Sequence, residues 1–74
     1  DMVFFSGITL AVLDDEQRER FLEWIKALRA QSVQIAFDTN YRAALWQSAQ
    51  QAILWLERAY QCSDLVETAL KWHR

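Results

Sequence analysis

A short polar segment directly follows an apolar run and has side chains that could bind a small anionic molecule. The apolar run covers residues 33–37, and residues 38–42 are Asp-Thr-Asn-Tyr-Arg. The Arg guanidinium is a fork of donors suited to carboxylate or phosphate, and the Asn amide both donates and accepts. If the run is a buried strand, these side chains lie at its carboxyl end, where open α/β sheets bind ligands. The five residues 38–42 therefore predict part of a small-molecule site.

Two strands and a helix are predicted to position this segment. Residues 2–5 and residues 33–37 are short apolar runs that favour strands. Between them, Asp14 and Gln17 have the spacing of a capping box, which predicts the start of a helix. The apolar side chains that follow recur at helical spacing, at Phe21, Leu22, Ile25 and Leu28. The charged side chains expected largely on the opposite, solvent side are Arg18, Glu19, Lys26 and Arg29. Strand, helix and strand in this order predict a βαβ unit with parallel strands and a right-handed crossover.

A second helix and a helical tail are predicted to follow. Residues 39–47 are expected to form a loop or short turn, and Ser48 with Gln51 has a second capping-box spacing. The expected apolar face of this helix comprises Ala49, Ala52, Ile53, Leu56, Ala59 and Tyr60. In the tail, Asp64 and Glu67 resemble a cap pair, which favours a helix continuing to residue 72. The predicted fold class is α/β, and residues 1–74 are expected to form one small domain.

Composition and charge exclude several classes of function. The formal net charge of −2 argues against nucleic-acid binding by clustered cations. No apolar run approaches the ~18 residues that a membrane span needs, so no membrane partner is expected. The single cysteine, Cys62, excludes an internal disulfide and fits a reducing compartment, so we expect a cytoplasmic location and a structural thiol. No metal-ligand spacing is present. For Asp38, the alternative to a ligand role is a carboxylate that caps a turn.

Three segments together resemble the middle of the PfkB (ribokinase-like) carbohydrate kinases. Residues 6–11 are Ser-Gly-Ile-Thr-Leu-Ala, residues 38–42 are Asp-Thr-Asn-Tyr-Arg, and Leu45-Trp46 follows. Their order and spacing are similar to those of the members that phosphorylate 2-keto-3-deoxygluconate. The resemblance covers roughly residues 1–64, and Ala43 stands where the family usually has Pro. The family would continue into another strand near residues 64–66, where the tail of this chain favours a helix.

The resemblance implies an internal fragment of a Rossmann-like ribokinase fold. In the intact enzyme it implies ATP with Mg²⁺ and a sugar-acid substrate. It assigns Asn40 and Arg42 to the transferred phosphate, and Arg42 with Tyr41 to the substrate. The family's catalytic base lies in a Gly-Ala-Gly-Asp segment, which a chain whose single glycine is Gly7 cannot contain. We therefore expect no catalytic residue, no cofactor and no kinase activity in the isolated chain.

Two functional hypotheses remain open from the sequence. The first is part of a sugar kinase, and the second is a small stand-alone α/β interaction module without catalysis. We expect the chain to self-associate, by edge pairing of strands or by packing of its aromatic face, or else to need the remainder of the kinase. The reason is that two strands leave unpaired edges and that the chain is rich in aromatic residues. The aromatic residues expected to exceed what so small a core can bury are Phe4, Phe5, Trp46, Trp55 and Trp72.

Overall fold

The computed structural model describes residues 1–67 and has a mixed α/β architecture. Its elements are β1 (Met2–Ser6), α1 (Gly7–Ala11), α2 (Asp15–Ala30), β2 (Gln34–Asp38), a 3-10 turn (Ala43–Leu45), α3 (Ala49–Gln61) and β3 (Leu65–Glu67). The three strands form one sheet in the order β1-β2-β3, and both strand pairs are parallel. The predicted βαβ unit is confirmed, and a third strand extends it. Within residues 1–67, no helix has the length and apolar character required to cross a membrane.

Side-chain caps begin both long helices at the predicted positions. The Asp14 carboxylate accepts a hydrogen bond from the Gln17 amide at 2.8 Å, and the Gln17 side chain accepts from the Asp14 amide at 3.0 Å. At α3, Ser48 Oγ accepts from the Gln51 amide at 3.0 Å. These bonds satisfy amides that have no partner within the helix, so local sequence alone fixes where α2 and α3 start.

The core lies between one face of the sheet and the two long helices. Strand side chains alternate between faces, and Phe5, Ile35 and Phe37 point towards the helices and are buried. They form one cluster with side chains of both α2 and α3, so both helices lie on the same face of the sheet. This arrangement follows from the strand order, because two right-handed crossovers in the same direction place both helices on one side.

The buried face of α3 differs from the predicted one. Ala52, Trp55 and Ala59 are buried, whereas Ile53 and Tyr60, both expected in the core, are 57% and 58% exposed. The helix is apolar on two adjacent sides, and spacing alone could not show which side packs on the sheet. The expectation that Phe5, Trp46 and Trp55 exceed the capacity of the core is also wrong, because these side chains are 4%, 7% and 5% exposed.

The start of the tail is a strand and not the predicted helix. Leu65–Glu67 pairs with β2, so the cap pair expected at Asp64 and Glu67 does not form a helix start. Instead, Asp64 Oδ2 accepts a hydrogen bond from the Ile35 amide at 2.8 Å, and its Oδ1 pairs with Arg29 at 2.9 Å. These non-local contacts align β3 with β2. The helix expected at residues 68–72, together with Trp72, lies outside the described residues.

Candidate functional site

The polar segment lies at the carboxyl edge of the sheet, as predicted. Asp38 ends β2 directly beside Ser6, which ends β1, because these two residues are partners in the parallel register. The following loop carries Asn40, Tyr41 and Arg42 beyond that edge. The candidate residues are therefore together on one loop at the end of a sheet where ligands of α/β proteins usually bind.

A turn at Asp38 determines the path of this loop. The Asp38 carboxylate accepts a hydrogen bond from the Asn40 amide at 3.1 Å, which is the turn-capping role considered for it. Asn40 has a φ of 33°, in the left-handed region that Asn tolerates better than most residues. Both features direct the chain away from the strand, and they give Asp38 a structural role in the site.

Gly7 brings the two family-like segments into direct contact. A Cβ built at Gly7 would lie 2.0 Å from the carbonyl oxygen of Thr39 and 3.0 Å from Leu56 Cδ2. Since the first distance is far below a permitted contact, no other residue fits here without movement of the loop. The start of α1 therefore supports the loop that carries the candidate residues, which gives a physical reason for the single glycine at this position.

Arg42 forms no ion pair with a carboxylate of residues 1–66, the residues whose side chains the structure describes. Its Nε donates to Asn40 Oδ1 at 3.4 Å, a long and exposed hydrogen bond. The other Lys and Arg residues in this part of the chain all pair with Asp or Glu, namely Arg18, Arg20, Lys26, Arg29 and Arg58. A cation without a carboxylate partner, beside an Asn amide at a sheet edge, is suited to an anionic ligand.

Tyr41 and α3 form an apolar wall beside this cation. The Tyr41 side chain is 49% exposed. It lines a shallow depression of about 250 Å³ together with Ala49, Ala52, Ile53 and Leu56 of α3. The depression leaves the loop open towards solvent.

Arg18 is an important residue that the sequence interpretation missed. It was placed on the solvent side of α2, but it is only 5% exposed. Its Nε donates to the Leu10 carbonyl at 2.7 Å and its Nη2 to the Ala11 carbonyl at 3.2 Å. The guanidinium also lies over the rings of Trp46 and Trp55, at 5.0 and 5.6 Å from their centroids.

These contacts connect α2 to the end of α1 and to the loop that follows the site. Arg18 satisfies carbonyls at the end of α1, and it packs on Trp46, which follows the 3-10 turn and is buried in the core. The sequence contained one signal for this role. Arg18 precedes Leu22 and Ile25 by four and seven residues, so it lies on the buried stripe of α2.

A second cluster of cations lies at the opposite edge of the sheet and is neutralised. A cleft of about 440 Å³ between the C-terminal halves of α2 and α3 is lined by Lys26, Arg29 and Arg58 among others. Each of these cations pairs with a carboxylate, from Glu23, Asp64 and Glu19 respectively. We therefore interpret these cations as structural ion pairs and not as a site for an anionic ligand. Among the described residues, no three His, Cys, Asp or Glu side chains are grouped so as to hold a metal ion.

The chain is similar to part of several curated sugar-acid kinases. It is 37% identical over 65 residues to the 2-dehydro-3-deoxygluconokinase of Dickeya dadantii, a match that covers 88% of this chain and 21% of that enzyme. The enzyme of the same name from Escherichia coli K12 is 34% identical over 65 residues, with the same coverage. That of Haemophilus influenzae is 38% identical over 52 residues, which covers 70% of this chain and 17% of the enzyme. The chain spans about a fifth of the length of these relatives. No family model matches it.

Proposed function

We propose that this chain is part of a sugar-acid kinase that transfers the γ-phosphate of ATP to 2-keto-3-deoxygluconate or a similar sugar acid. Two findings support the proposal. The relatives that match 88% of the chain are named 2-dehydro-3-deoxygluconokinase, and the predicted ligand residues share one loop at the carboxyl edge of a parallel sheet. We propose further that the sheet is a piece of a Rossmann-like ribokinase fold.

The uncompensated charge of Arg42 is the observation that carries this proposal. A sugar acid has a carboxylate, and the phosphate being transferred carries additional negative charge. A guanidinium that is exposed and lacks a carboxylate partner among the described side chains of residues 1–66 can bind either group without first breaking an ion pair. Charge that spreads over phosphate oxygens in the transition state is stabilised by such a cation.

Asn40 and Tyr41 have supporting roles in this proposal. The Asn40 side chain lies within 3.4 Å of Arg42 Nε, so it orients the guanidinium and can also bond a hydroxyl or phosphate oxygen. Tyr41 supplies an apolar wall for the sugar. When bound to the whole protein, ATP would supply the phosphoryl group and Mg²⁺ would neutralise part of its charge. We assign no residue of this chain to the metal.

The isolated chain is proposed to be inactive as a kinase. Its single glycine excludes the Gly-Ala-Gly-Asp segment in which the family carries its base and anion site. Arg42 therefore has the geometry to hold an anion but no base to assist. We also propose a cytoplasmic location, since the single cysteine, Cys62, is a buried free thiol suited to a reducing compartment.

Titration of the isotope-labelled chain by NMR tests the ligand role directly. We expect inorganic phosphate and 2-keto-3-deoxygluconate to shift the amide signals of Asn40, Tyr41 and Arg42 at millimolar concentration. The Arg42→Ala variant should lose these shifts. Arg20→Ala is the matched control, because Arg20 is exposed on α2 and pairs with Glu16. Shifts that persist in Arg42→Ala, or that Arg20→Ala also abolishes, would remove Arg42 from the site.

The alternative function, a stand-alone interaction module, is favoured by the exposed apolar residues on one face of the sheet. Phe4 and Met2 are 63% and 55% exposed there. The reading frame of the gene on both sides of these codons distinguishes the two hypotheses. A continuing reading frame with a Gly-Ala-Gly-Asp segment supports the kinase, and a start and a stop that flank the 74 codons support the module.

A further inference from the structure

Trp46 is the single buried residue of the segment that carries the candidate site. Between Phe37 of β2 and Ala52 of α3, all of which the structure describes, every other side chain is exposed or half-buried. Surface loops are more mobile than the elements they connect, so one buried side chain can decide how ordered such a loop is. The function proposed above gives no role to Trp46, although Leu45-Trp46 belongs to the family-like pattern.

Backbone hydrogen bonds connect this buried residue to Arg42. The 3-10 turn covers Ala43–Leu45, with Arg42 directly before it and Trp46 directly after it. The Arg42 carbonyl accepts a hydrogen bond from the Leu45 amide at 3.0 Å, and the Ala43 carbonyl accepts one from the Trp46 amide at 3.2 Å. The position of the Trp46 backbone therefore restricts the position of the Arg42 backbone.

The Trp46 ring is held in the core by groups from three helices. It is in contact with the Arg18 guanidinium of α2, which lies 5.0 Å from the ring centroid. That guanidinium is itself fixed by bonds to two carbonyls at the end of α1 and by the ring of Trp55 on α3. Cation–π contacts are stronger when the cation is desolvated, as Arg18 is here. The ring is therefore a firm anchor for the turn.

The opposite end of the same segment is fixed independently. The Thr39 carbonyl approaches Gly7 at the start of α1 so closely that no Cβ fits between them. Arg42 lies between this contact and Trp46, and its side chain is exposed. Its hydrogen bond to Asn40 Oδ1 is long, at 3.4 Å. The location of the guanidinium therefore depends on how firmly the backbone is held at both ends of the segment.

We infer that Trp46 is a positioning residue for Arg42, because its buried ring keeps the loop ordered and holds the guanidinium at the sheet edge before an anion binds. The inference rests on the function proposed above, in which Arg42 binds an anion. A loop that is ordered in advance loses little conformational entropy when the ligand arrives. Groups that hold a substrate must also be placed accurately, since small displacements lower the rate of reaction strongly.

Amide relaxation of the isotope-labelled chain, measured by NMR without a ligand, tests this inference. Order parameters of ~0.85 are typical of rigid backbone and values below ~0.6 of flexible backbone. We expect residues 40–42 to be rigid in the wild-type chain and flexible in Trp46→Ala. Trp46→Phe keeps a buried ring and should retain the rigid values. The matched control is Ile25→Ala, which also removes a fully buried side chain but should leave the order of residues 40–42 unchanged.

Titration with inorganic phosphate connects the order of the loop to binding. We expect Trp46→Ala to raise the Kd at least ~5-fold, because binding must then order at least one further residue. Ile25→Ala should change the Kd by less than about twofold. A wild-type chain that binds no phosphate would refute the function proposed for Arg42, while the relaxation data would still decide whether Trp46 positions the loop.

Three results would overturn the inference. The first is a wild-type chain in which residues 40–42 are already flexible. The second is a Trp46→Ala chain that is folded by circular dichroism and in which these residues stay as rigid as in the wild type. The third is an equal loss of order in Ile25→Ala, because the effect would then come from lower stability in general and not from the anchor.

Hydrogen exchange of the wild-type chain decides the case if Trp46→Ala fails to fold. The Leu45 and Trp46 amides donate the two hydrogen bonds of the 3-10 turn, and we expect this turn to open only when the ring leaves the core. Both amides should therefore exchange at least ~100-fold more slowly than in an unstructured peptide. Exchange at the unstructured rate, while the amides of α3 stay protected, would show that Trp46 does not anchor the loop.

Discussion

Replacement of Arg18 by Met should remove a large part of the stability of this domain. The substitution keeps an apolar stem of similar length but removes the Arg18 donors that lie 2.7 Å from the Leu10 carbonyl and 3.2 Å from the Ala11 carbonyl. The Leu10 carbonyl keeps its hydrogen bond from the Leu13 amide at 3.2 Å. Hydrogen bonds to a charged group contribute ~1.5–3 kcal/mol each, and the two cation–π contacts add ~0.5–1 kcal/mol each. Because the Met stem retains part of the packing, we expect a loss of about 3–5 kcal/mol. A domain of this size has roughly 4–11 kcal/mol in total.

The ion pair of Arg18 with Asp15 provides the control for this argument. The two groups lie 2.8 Å apart, but the Asp15 side chain is 75% exposed, so solvent screens the pair. Asp15→Ala should therefore cost no more than about 1 kcal/mol. Urea unfolding followed by circular dichroism, at one fixed protein concentration, measures both variants. A loss below about 1 kcal/mol in Arg18→Met, or an equal loss in Asp15→Ala, would refute the assignment of Arg18 to the two carbonyls and the two rings.

Five further substitutions, at Gly7, Leu22, Leu28 and Asp64, test the fold around the site. Gly7→Ala should destabilise the chain by ~1–3 kcal/mol, because the new Cβ would meet the Thr39 carbonyl oxygen at 2.0 Å. It should also shift the NMR amide signals of residues 39–42, and unchanged signals would contradict this contact. Leu22→Ala should lower the free energy of unfolding by ~2–5 kcal/mol and Leu28→Ala by less, because Leu22 is fully buried and Leu28 only partly. A larger loss for Leu28→Ala in urea unfolding would show that a different face of α2 packs on the core. Asp64→Ala should lower the free energy of unfolding by ~1–3 kcal/mol, because it leaves the Ile35 amide without its side-chain acceptor. Asp64→Asn keeps an acceptor oxygen and should lower it by less. Equal losses in the two variants would assign the effect to the ion pair with Arg29.

Local signals in the sequence predicted most of the elements that position the site. The capping boxes at Asp14 and Ser48 involve residues three positions apart, so they act before any tertiary contact forms. The strand ending at Asp38 was visible because its apolar run stops abruptly at polar residues. The loop at the carboxyl edge followed from these elements together with the rule for parallel sheets.

Contacts between distant residues account for what the sequence interpretation missed. The strand at Leu65–Glu67 depends on its pairing with β2 and on the Asp64 bond to Ile35, 29 residues away in sequence. Trp46 and Trp55 are buried in contact with the Arg18 guanidinium. The charge of Arg18 argued against a buried position, and only its bonds to distant carbonyls explain why it is buried. Helical spacing could not distinguish the two apolar sides of α3, because the choice is made by packing against the sheet.

The most direct test of the central claim is a chimera with the Dickeya dadantii enzyme. The segment of that kinase that matches this chain would be replaced by the corresponding residues of the chain, and kcat/KM for 2-keto-3-deoxygluconate would be compared among the chimera, its Arg42→Ala variant and its Arg20→Ala variant. We predict that Arg42→Ala lowers kcat/KM by about 30- to 5,000-fold, which corresponds to ~2–5 kcal/mol for the loss of the cation that faces a desolvated anion, and that Arg20→Ala leaves it unchanged. An active chimera whose kcat/KM is insensitive to Arg42→Ala would contradict the account.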